Sequence, residues 1–280
     1  MKTWLITGAS GGLGQLMCEK LLARGDRVFA AVRNTQAADA MAAKYGEQLQ
    51  VLRLDLSEPA TIQPVVEAAF SRAGRIDVVV SNAAYGLFGA AEELSDTQIA
   101  QQIATNLTGS IALIRAAIPF LRQQGGGRIV QVSSEGGQIA YPCFSLYHAT
   151  KWGIEGFVEA VRQEVAAFGI DFLLIEPGPT ATQFGVRLDI AQALPAYAHT
   201  AAGEMRAALM SGNFEIKGDA DKCVTAMMAA ADAVNPPLRL ALGSTAYDNI
   251  EAALTRRLEA LRAMKAVAYG ADREDVRPMG

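Results

Sequence analysis

Tyr147 and Lys151 stand four residues apart in Tyr147-His148-Ala149-Thr150-Lys151. On a helix that spacing puts both side chains on one face, with Cβ atoms about 5–6 Å apart. An unperturbed phenol titrates near ~10, and an ammonium about 6 Å away at an effective dielectric of ~20 stabilises phenolate by roughly 3 kcal/mol, or ~2 pKa units. A phenol lowered in this way exchanges a proton with a substrate oxygen near neutral pH. Taken alone, a Tyr-x-x-x-Lys pair reads equally well as an ordinary amphipathic pair. Ser134 strengthens the chemical reading. It ends a strand-like run thirteen residues before Tyr147, where a hydroxyl would bind a reacting carbonyl and stabilise its developing negative charge. Ser133 is the neighbouring candidate.

A second constellation lies near the start of the chain. Thr7-Gly8-Ala9-Ser10-Gly11-Gly12-Leu13-Gly14 follows the first strand-like run and opens a helical one. Glycines there allow a tight turn and close approach to a pyrophosphate, and the helix N-terminus offers unpaired N–H groups and the positive end of its dipole. The end of the second strand holds Val32-Arg33-Asn34, with no carboxylate for a free ribose 2′-hydroxyl. Arg33 suits a 2′-phosphate through charge-assisted bonds. NADP(H) is therefore the expected cofactor, with NAD(H) as the alternative. Gly11 lies where a second basic residue would have reinforced the site.

The elements that must bring these groups together are short apolar runs alternating with Ala- and Leu-rich helical segments. The runs are 3–7, 27–32, 49–54, 76–80, 128–133 and 170–175, with a last one near 238–242. They are continuously apolar, as strands buried on both faces are. Helical patterns near 12–24, 36–45, 58–73, 95–122, 146–168, 219–234 and 246–268 supply the cover. The expected fold is α/β: one Rossmann-type, doubly wound parallel sheet of about seven strands with helices on both faces. In such a sheet, ligands bind at the carboxyl ends of the strands. No repeat or interdomain linker breaks the 280 residues, so one domain is expected, with 183–217 as a substrate lid showing no strand signal and 271–280 as a frayed tail.

Composition narrows the classes further. Hydrophobic residues make up 51% and charged residues 19%, which excludes a disordered chain. The net charge of −4, with no basic run, argues against nucleic-acid binding. Cys18, Cys143 and Cys223 form no CxxC pair, and no His/Cys/carboxylate cluster suggests a metal. With no signal peptide and no run of ~20 uninterrupted apolar residues, a soluble cytoplasmic protein with no membrane partner is expected.

At this point the chain resembles the classical short-chain dehydrogenase/reductase family from Met1 to about Thr182. Thr7-Gly8-x-x-x-Gly12-x-Gly14 looks like its cofactor turn, and Ser81-Asn82-Ala83-Ala84 like its Asn-Asn-Ala-Gly segment, with Ser81 and Ala84 as departures. The resemblance implies a catalytic tetrad of Asn106, Ser134, Tyr147 and Lys151. Tyr147 gives the proton, Ser134 orients the carbonyl, and Lys151 lowers the Tyr147 pKa and holds the ribose. Asn106 positions a water that relays protons to Lys151. The cofactor contacts it implies are Gly8, Ser10, Gly12, Leu13, Gly14, Arg33, Asn34, Asp55, Leu56, Asn82, Ala83, Tyr147, Lys151, Pro177, Gly178, Thr180 and Thr182, with Asp55 at the adenine and Pro177-Gly178 with Thr182 at the carboxamide. Pro236-Pro237-Leu238 and Gly243-Ser244 are similar to the bacterial branch near the 17β-hydroxysteroid dehydrogenases. Family members contact each other through the two long helices, which implies a homodimer or homotetramer.

The substrate is expected to be small and carbonyl- or alcohol-bearing. Leu87, Phe88, Tyr141, Cys143, Phe144 and Phe184 offer an apolar or aromatic lining, with Leu188, Ile190, Leu194 and Tyr197 further along the lid. Glu135 would either bind a polar substrate group or face solvent. His148 should point elsewhere, and His199 should lie on the lid surface. Two other functions compete: a non-catalytic NADP(H)-sensing regulator, which has no need of Ser134, Tyr147 and Lys151 together, and a sugar-nucleotide epimerase or dehydratase, which usually has a longer chain and a different glycine turn.

Overall fold

The computed structural model describes residues 1–212 and 215–273. Its core is a seven-stranded parallel sheet in the order β3-β2-β1-β4-β6-β7-β9. The strands are β1 (Thr3–Thr7), β2 (Arg27–Val32), β3 (Leu49–Arg53), β4 (Val78–Ser81), β6 (Gly127–Val132), β7 (Ile170–Pro177) and β9 (Arg239–Leu242). Leu5 stands opposite both Phe29 and Val79, and Ile129 opposite both Val79 and Phe172. Strands flanked on both sides and covered on both faces leave no room for a polar alternation, which explains the continuous apolar runs.

The two faces of the sheet carry separate cores. On one, Trp4, Ile6, Val28 and Val80 pack against Met17 and Leu21 of α1 (Gly12–Ala23) and Val224 and Met227 of α8 (Ala220–Asp232). On the other, Leu5, Phe29 and Val79 meet α3 (Pro59–Ala73), α5 (Gly109–Gln123) and α6 (Ser145–Val165) through Val66, Leu113 and Val158. The remaining helices are α2 (Asp39–Tyr45), α4 (Asp96–Ile103), α7 (Ala201–Met210), α9 (Ser244–Ala263) and α10 (Lys265–Gly270). A capping box starts α4: the Gln98 N–H donates to Ser95 Oγ at 3.3 Å, and the Ser95 N–H to Gln98 Oε1 at 3.1 Å.

Several expectations need correction. The segment 183–217 does contain a strand: β8 (Asp189–Ile190) pairs in parallel with β5 (Leu87–Phe88), the connection after β4. The expected helix at 36–45 begins as a 3₁₀ turn, Thr35–Ala38, which Asn34 caps by accepting the Gln36 N–H at 3.1 Å. The strand expected at 76–80 runs Val78–Ser81; just before it, the Asp77 carboxylate accepts the Thr3 N–H at 2.9 Å. One helical run, Asp96–Gln123, is long and apolar enough to cross a membrane by length and composition. Leu113, Ile114, Ala117 and Leu121 bury one side of it against the sheet. It contains a π-helical turn, Ala104–Thr108, a feature that often marks a functional position. Of the expected tail, 274–280 lies outside the described residues.

Candidate active site

Because every pairing in the large sheet is parallel, the loops after β1, β2, β3, β4, β6 and β7 share one edge. The strand order reverses between β1 and β4, the crevice that such folds use for ligands. Gly8, in the turn after β1, has φ +67, a conformation that disfavours side chains. Gly14 packs so closely on the Gly8 carbonyl and the Asn82 amide that a Cβ there would collide with both. Asn82 supports this turn from β4: its amide donates to Thr7 O at 2.9 Å and Gly8 O at 3.3 Å. Thr7 Oγ1 in turn accepts the N–H groups of Asn82 and Ala83. Asn82 therefore braces the cradle. No side chain caps α1 at Gly11, and Gly12 is exposed, so the helix N-terminus is open to an anion. The buried Tyr85 hydroxyl has no hydrogen-bond partner among the described residues, and burial holds its pKa up. These features fit a dinucleotide.

The other cofactor candidates lie around this cradle in different roles. Ser10 and Leu13 belong to the turn and first helical turn, and Leu13 packs on the core. Arg33 and Asn34 are exposed at the end of β2, and Asp55 lies after β3. Asp55 Oδ1 accepts both the N–H and the hydroxyl of Ser57, and Leu56 is buried behind it. Beyond Pro177, the Gly178 N–H donates to Leu242 O at 3.0 Å. Thr180 turns inward, its hydroxyl donating to Gly178 O at 2.9 Å. Thr182 approaches Gly12 from the lid.

Ser134, Tyr147 and Lys151 lie close together at the end of β6 and the start of α6. The Ser134 hydroxyl accepts the Gly136 N–H at 3.1 Å, and its hydrogen bond with Tyr147 favours the phenolate. Lys151 is only 2% exposed and donates to Val132 O at 2.9 Å. Asn106 lies in the π-helical turn and is clamped to Tyr85, donating to its carbonyl at 2.8 Å and accepting its N–H at 3.1 Å.

The electrostatics depart from the expectation that Lys151 lowers the phenol. In the protein chain alone, burial pushes Tyr147 up to about 12, with the nearby Glu135 adding to the rise and the Ser134 bond opposing it. Burial also pulls Lys151 down to about 8, against the pull of Glu155. Geometry explains the difference. The ammonium sits 5.6 Å from the centre of the Tyr147 ring and bonds a backbone carbonyl, so both groups share one desolvated wall.

The substrate side needs the most correction. Glu135 neither faces solvent nor stands free for a ligand: it is 3% exposed, accepts the Tyr141 hydroxyl at 2.7 Å and accepts the Asn249 amide at 3.1 Å. Tyr141 is thereby turned toward α9 and packs beside Ile139, Ala246 and Ile250. Leu87 and Phe88 are fully buried beneath β8, because their strand is covered by the lid. Cys143 is buried too, with its thiol on Ala202 O at 3.3 Å. Phe144 and Phe184 remain beside the phenol, with ring centres 6.1 and 5.6 Å from that of Tyr147.

Three supports had no clear signal in the sequence. His148 does point away from the reacting centre, and it holds the loop between Ser134 and Tyr147: Nδ1 donates to Gly136 O and Nε2 accepts the Tyr141 N–H, both at 2.9 Å. Burial keeps its pKa low, consistent with a neutral ring in this tautomer. Arg239 joins two buried carboxylates, Glu155 and Glu176, at 2.5 Å each. Glu155 also accepts the Ser133 hydroxyl at 2.5 Å, which assigns Ser133 to the scaffold.

Comparison with known proteins agrees with this geometry. The short chain dehydrogenase pattern matches residues 2–192. An oxidoreductase, BOA17, from Botryotinia fuckeliana is 33% identical over 88% of this chain and 90% of its own. A 3-ketodihydrosphingosine reductase from Bacteroides thetaiotaomicron is 32% identical over 64% of each chain. The crystal structure of a short-chain dehydrogenase from Streptomyces avermitilis superimposes with a TM-score of 0.88 at 34% identity, covering 97% of this chain and 98% of that one. The chain belongs to the short-chain dehydrogenase family of NAD(P)(H)-dependent oxidoreductases.

Proposed function

We propose that the protein is an NADP(H)-dependent carbonyl reductase or alcohol dehydrogenase, interconverting an apolar or aromatic ketone or aldehyde and its alcohol. The observation that carries this reading is the meeting of Ser134, Tyr147 and Lys151 beside an open glycine-rich cradle. A nicotinamide held over the glycine-rich turn would supply the hydride to the carbonyl carbon, or take it from the alcohol carbon in reverse. Ser134 donates a hydrogen bond to the carbonyl oxygen, and Tyr147 gives that oxygen its proton. A phenol held near 12 in the chain alone stays protonated at neutral pH, so the proton is present for reduction, but it is a weaker acid than a free phenol. A cationic oxidised ring, when bound beside it, would favour the phenolate that the reverse direction needs. Asn106, locked to Tyr85, keeps the π-helical turn in place for a proton relay toward Lys151.

Arg33 at the end of β2, with no carboxylate beside it, supports NADP(H) over NAD(H). Phe144 and Phe184 around the phenol support an apolar or aromatic substrate. The Bacteroides relative is by name a reductase of a keto compound, which agrees with a ketone. Pro236-Pro237-Leu238 and Gly243-Ser244 support a proposal that the chain lies in the branch similar to the 17β-hydroxysteroid dehydrogenases. The partly exposed faces of α4, α5 and α6 support a homodimer or homotetramer; light scattering that finds monomer alone at micromolar concentration contradicts it.

The functional test is NADPH consumption with a panel of ketones and aldehydes, repeated with NADH. Turnover of an aromatic or long aliphatic ketone, faster with NADPH, supports the reading. Nucleotide binding without turnover of any ketone or alcohol supports the sensor instead.

A further inference from the structure

The lid carries a guanidinium that no described protein group holds. Arg206 is paired with Glu93, and Lys217 with Glu215. The Arg187 side chain has no such partner among the described residues. It is nevertheless directed at one place: its Nη1 lies 3.2 Å, and its Cζ 4.0 Å, from the point where a side chain on Gly11 would begin. Gly11 caps α1 without a side-chain bond, so the guanidinium faces the positive end of a helix. Two positive groups directed at each other are stabilised by an anion between them. The absence of a side chain at position 11 makes room for this approach. A basic residue there would crowd and repel Arg187.

We propose that Arg187 is a phosphate ligand of the dinucleotide, carried by the lid, so that cofactor binding draws residues 183–190 over the glycine-rich turn. The proposal rests on the cofactor reading above. It supplies from the lid the second cation that position 11 does not provide. It also links closure of the lid, and with it the placement of Phe184 on Tyr147, to occupation of the cradle. The phosphate is either the pyrophosphate at the N-terminus of α1 or the 2′-phosphate near Arg33. The chemistry is the same, and NADH, which lacks the second, separates them.

The test measures binding of NADPH and NADH by nucleotide fluorescence to wild type, Arg187→Gln and Arg187→Lys. Hydrogen–deuterium exchange of 183–190 is followed with and without NADPH. Arg187 is exposed, so its substitution does not disturb a core. Loss of a charge-assisted contact should weaken NADPH by about 10-fold or more in Arg187→Gln, with partial recovery in Arg187→Lys. The protection that NADPH gives to 183–190 in wild type should fall in the glutamine variant. Equal weakening of NADH assigns the pyrophosphate; weakening of NADPH alone assigns the 2′-phosphate. Unchanged affinity for both nucleotides overturns the proposal, as does lid protection that is the same in Arg187→Gln and wild type. Wild type that binds neither nucleotide overturns the cofactor reading itself, a distinct failure.

Discussion

The strand-end framework and the lid treat their polar groups in opposite ways. In the framework, Thr7, Asn82, Ser133, His148, Glu155 and Arg239 are tied to backbone or to one another, mostly within the core. In the lid, Phe184 is 38% and Val186 88% exposed, the strand is two residues long, and Arg187 has no partner among the described residues. The framework is organised before any ligand arrives, as groups that must meet a transition state need to be. The lid keeps apolar and cationic groups ready for molecules that come and go. Substitutions in the framework should therefore act on stability, and those in the lid on affinity.

The largest stability effect should come from Arg239→Leu, which leaves Glu155 and Glu176 buried without their shared cation. Breaking such a group costs roughly 3 kcal/mol, the low end of the usual range because the guanidinium reaches solvent. Burial and the neighbouring Glu155 already hold Glu176 above the ordinary carboxylate range. Removing Arg239, which now opposes that rise, lifts Glu176 further. A raised folded-state pKa gives stability that is present at low pH and lost as pH rises. Denaturant melts should thus show the deficit of Arg239→Leu shrinking on acidification; a pH-independent deficit breaks this account.

Lys151→Met should be comparable, with a difference of about 3 kcal/mol that depends on pH. Burial lowers the folded-state Lys151 to about 8 from an ordinary 10.5. Between those values the unfolded chain binds more protons, so wild-type stability gains a rising contribution from pH 8 to 10.5. Lys151→Met lacks that contribution, and melting curves of the two proteins across the interval measure it. Asn82→Ala removes donors to two carbonyls and should cost about 1–2 kcal/mol, while also weakening nucleotide binding because the glycine turn loses its brace. Phe184→Ala should leave stability within about 0.5 kcal/mol and raise KM for apolar ketones severalfold with kcat nearly unchanged. A destabilisation comparable to that of Arg239→Leu would show that the lid belongs to the framework after all.

The same contrast explains what could be read from the sequence. The central strands declared themselves by unbroken apolar runs, and the glycine turn and the Tyr147–Lys151 spacing are local patterns that follow directly from helix and strand geometry. The pairing of Leu87 with Asp189 is not legible, because two-residue strands carry no periodicity and lie far apart in the chain. The place of Glu135 is hidden for a similar reason: its partner Asn249 is 114 residues away. The direction of the Tyr147 shift is not legible in the spacing, because a helix-face argument counts the ammonium but not the desolvation that both groups undergo when the helix packs on the sheet.

The central claim is that Tyr147 delivers the proton while the framework and lid hold the reactants. Single-turnover reduction of an accepted ketone at saturating NADPH, compared between wild type and Tyr147→Phe alongside NADPH affinity, tests it most directly. The account predicts a rate lower by about 10²–10⁴-fold with nucleotide affinity nearly unchanged. Equal rates in the two proteins would contradict it.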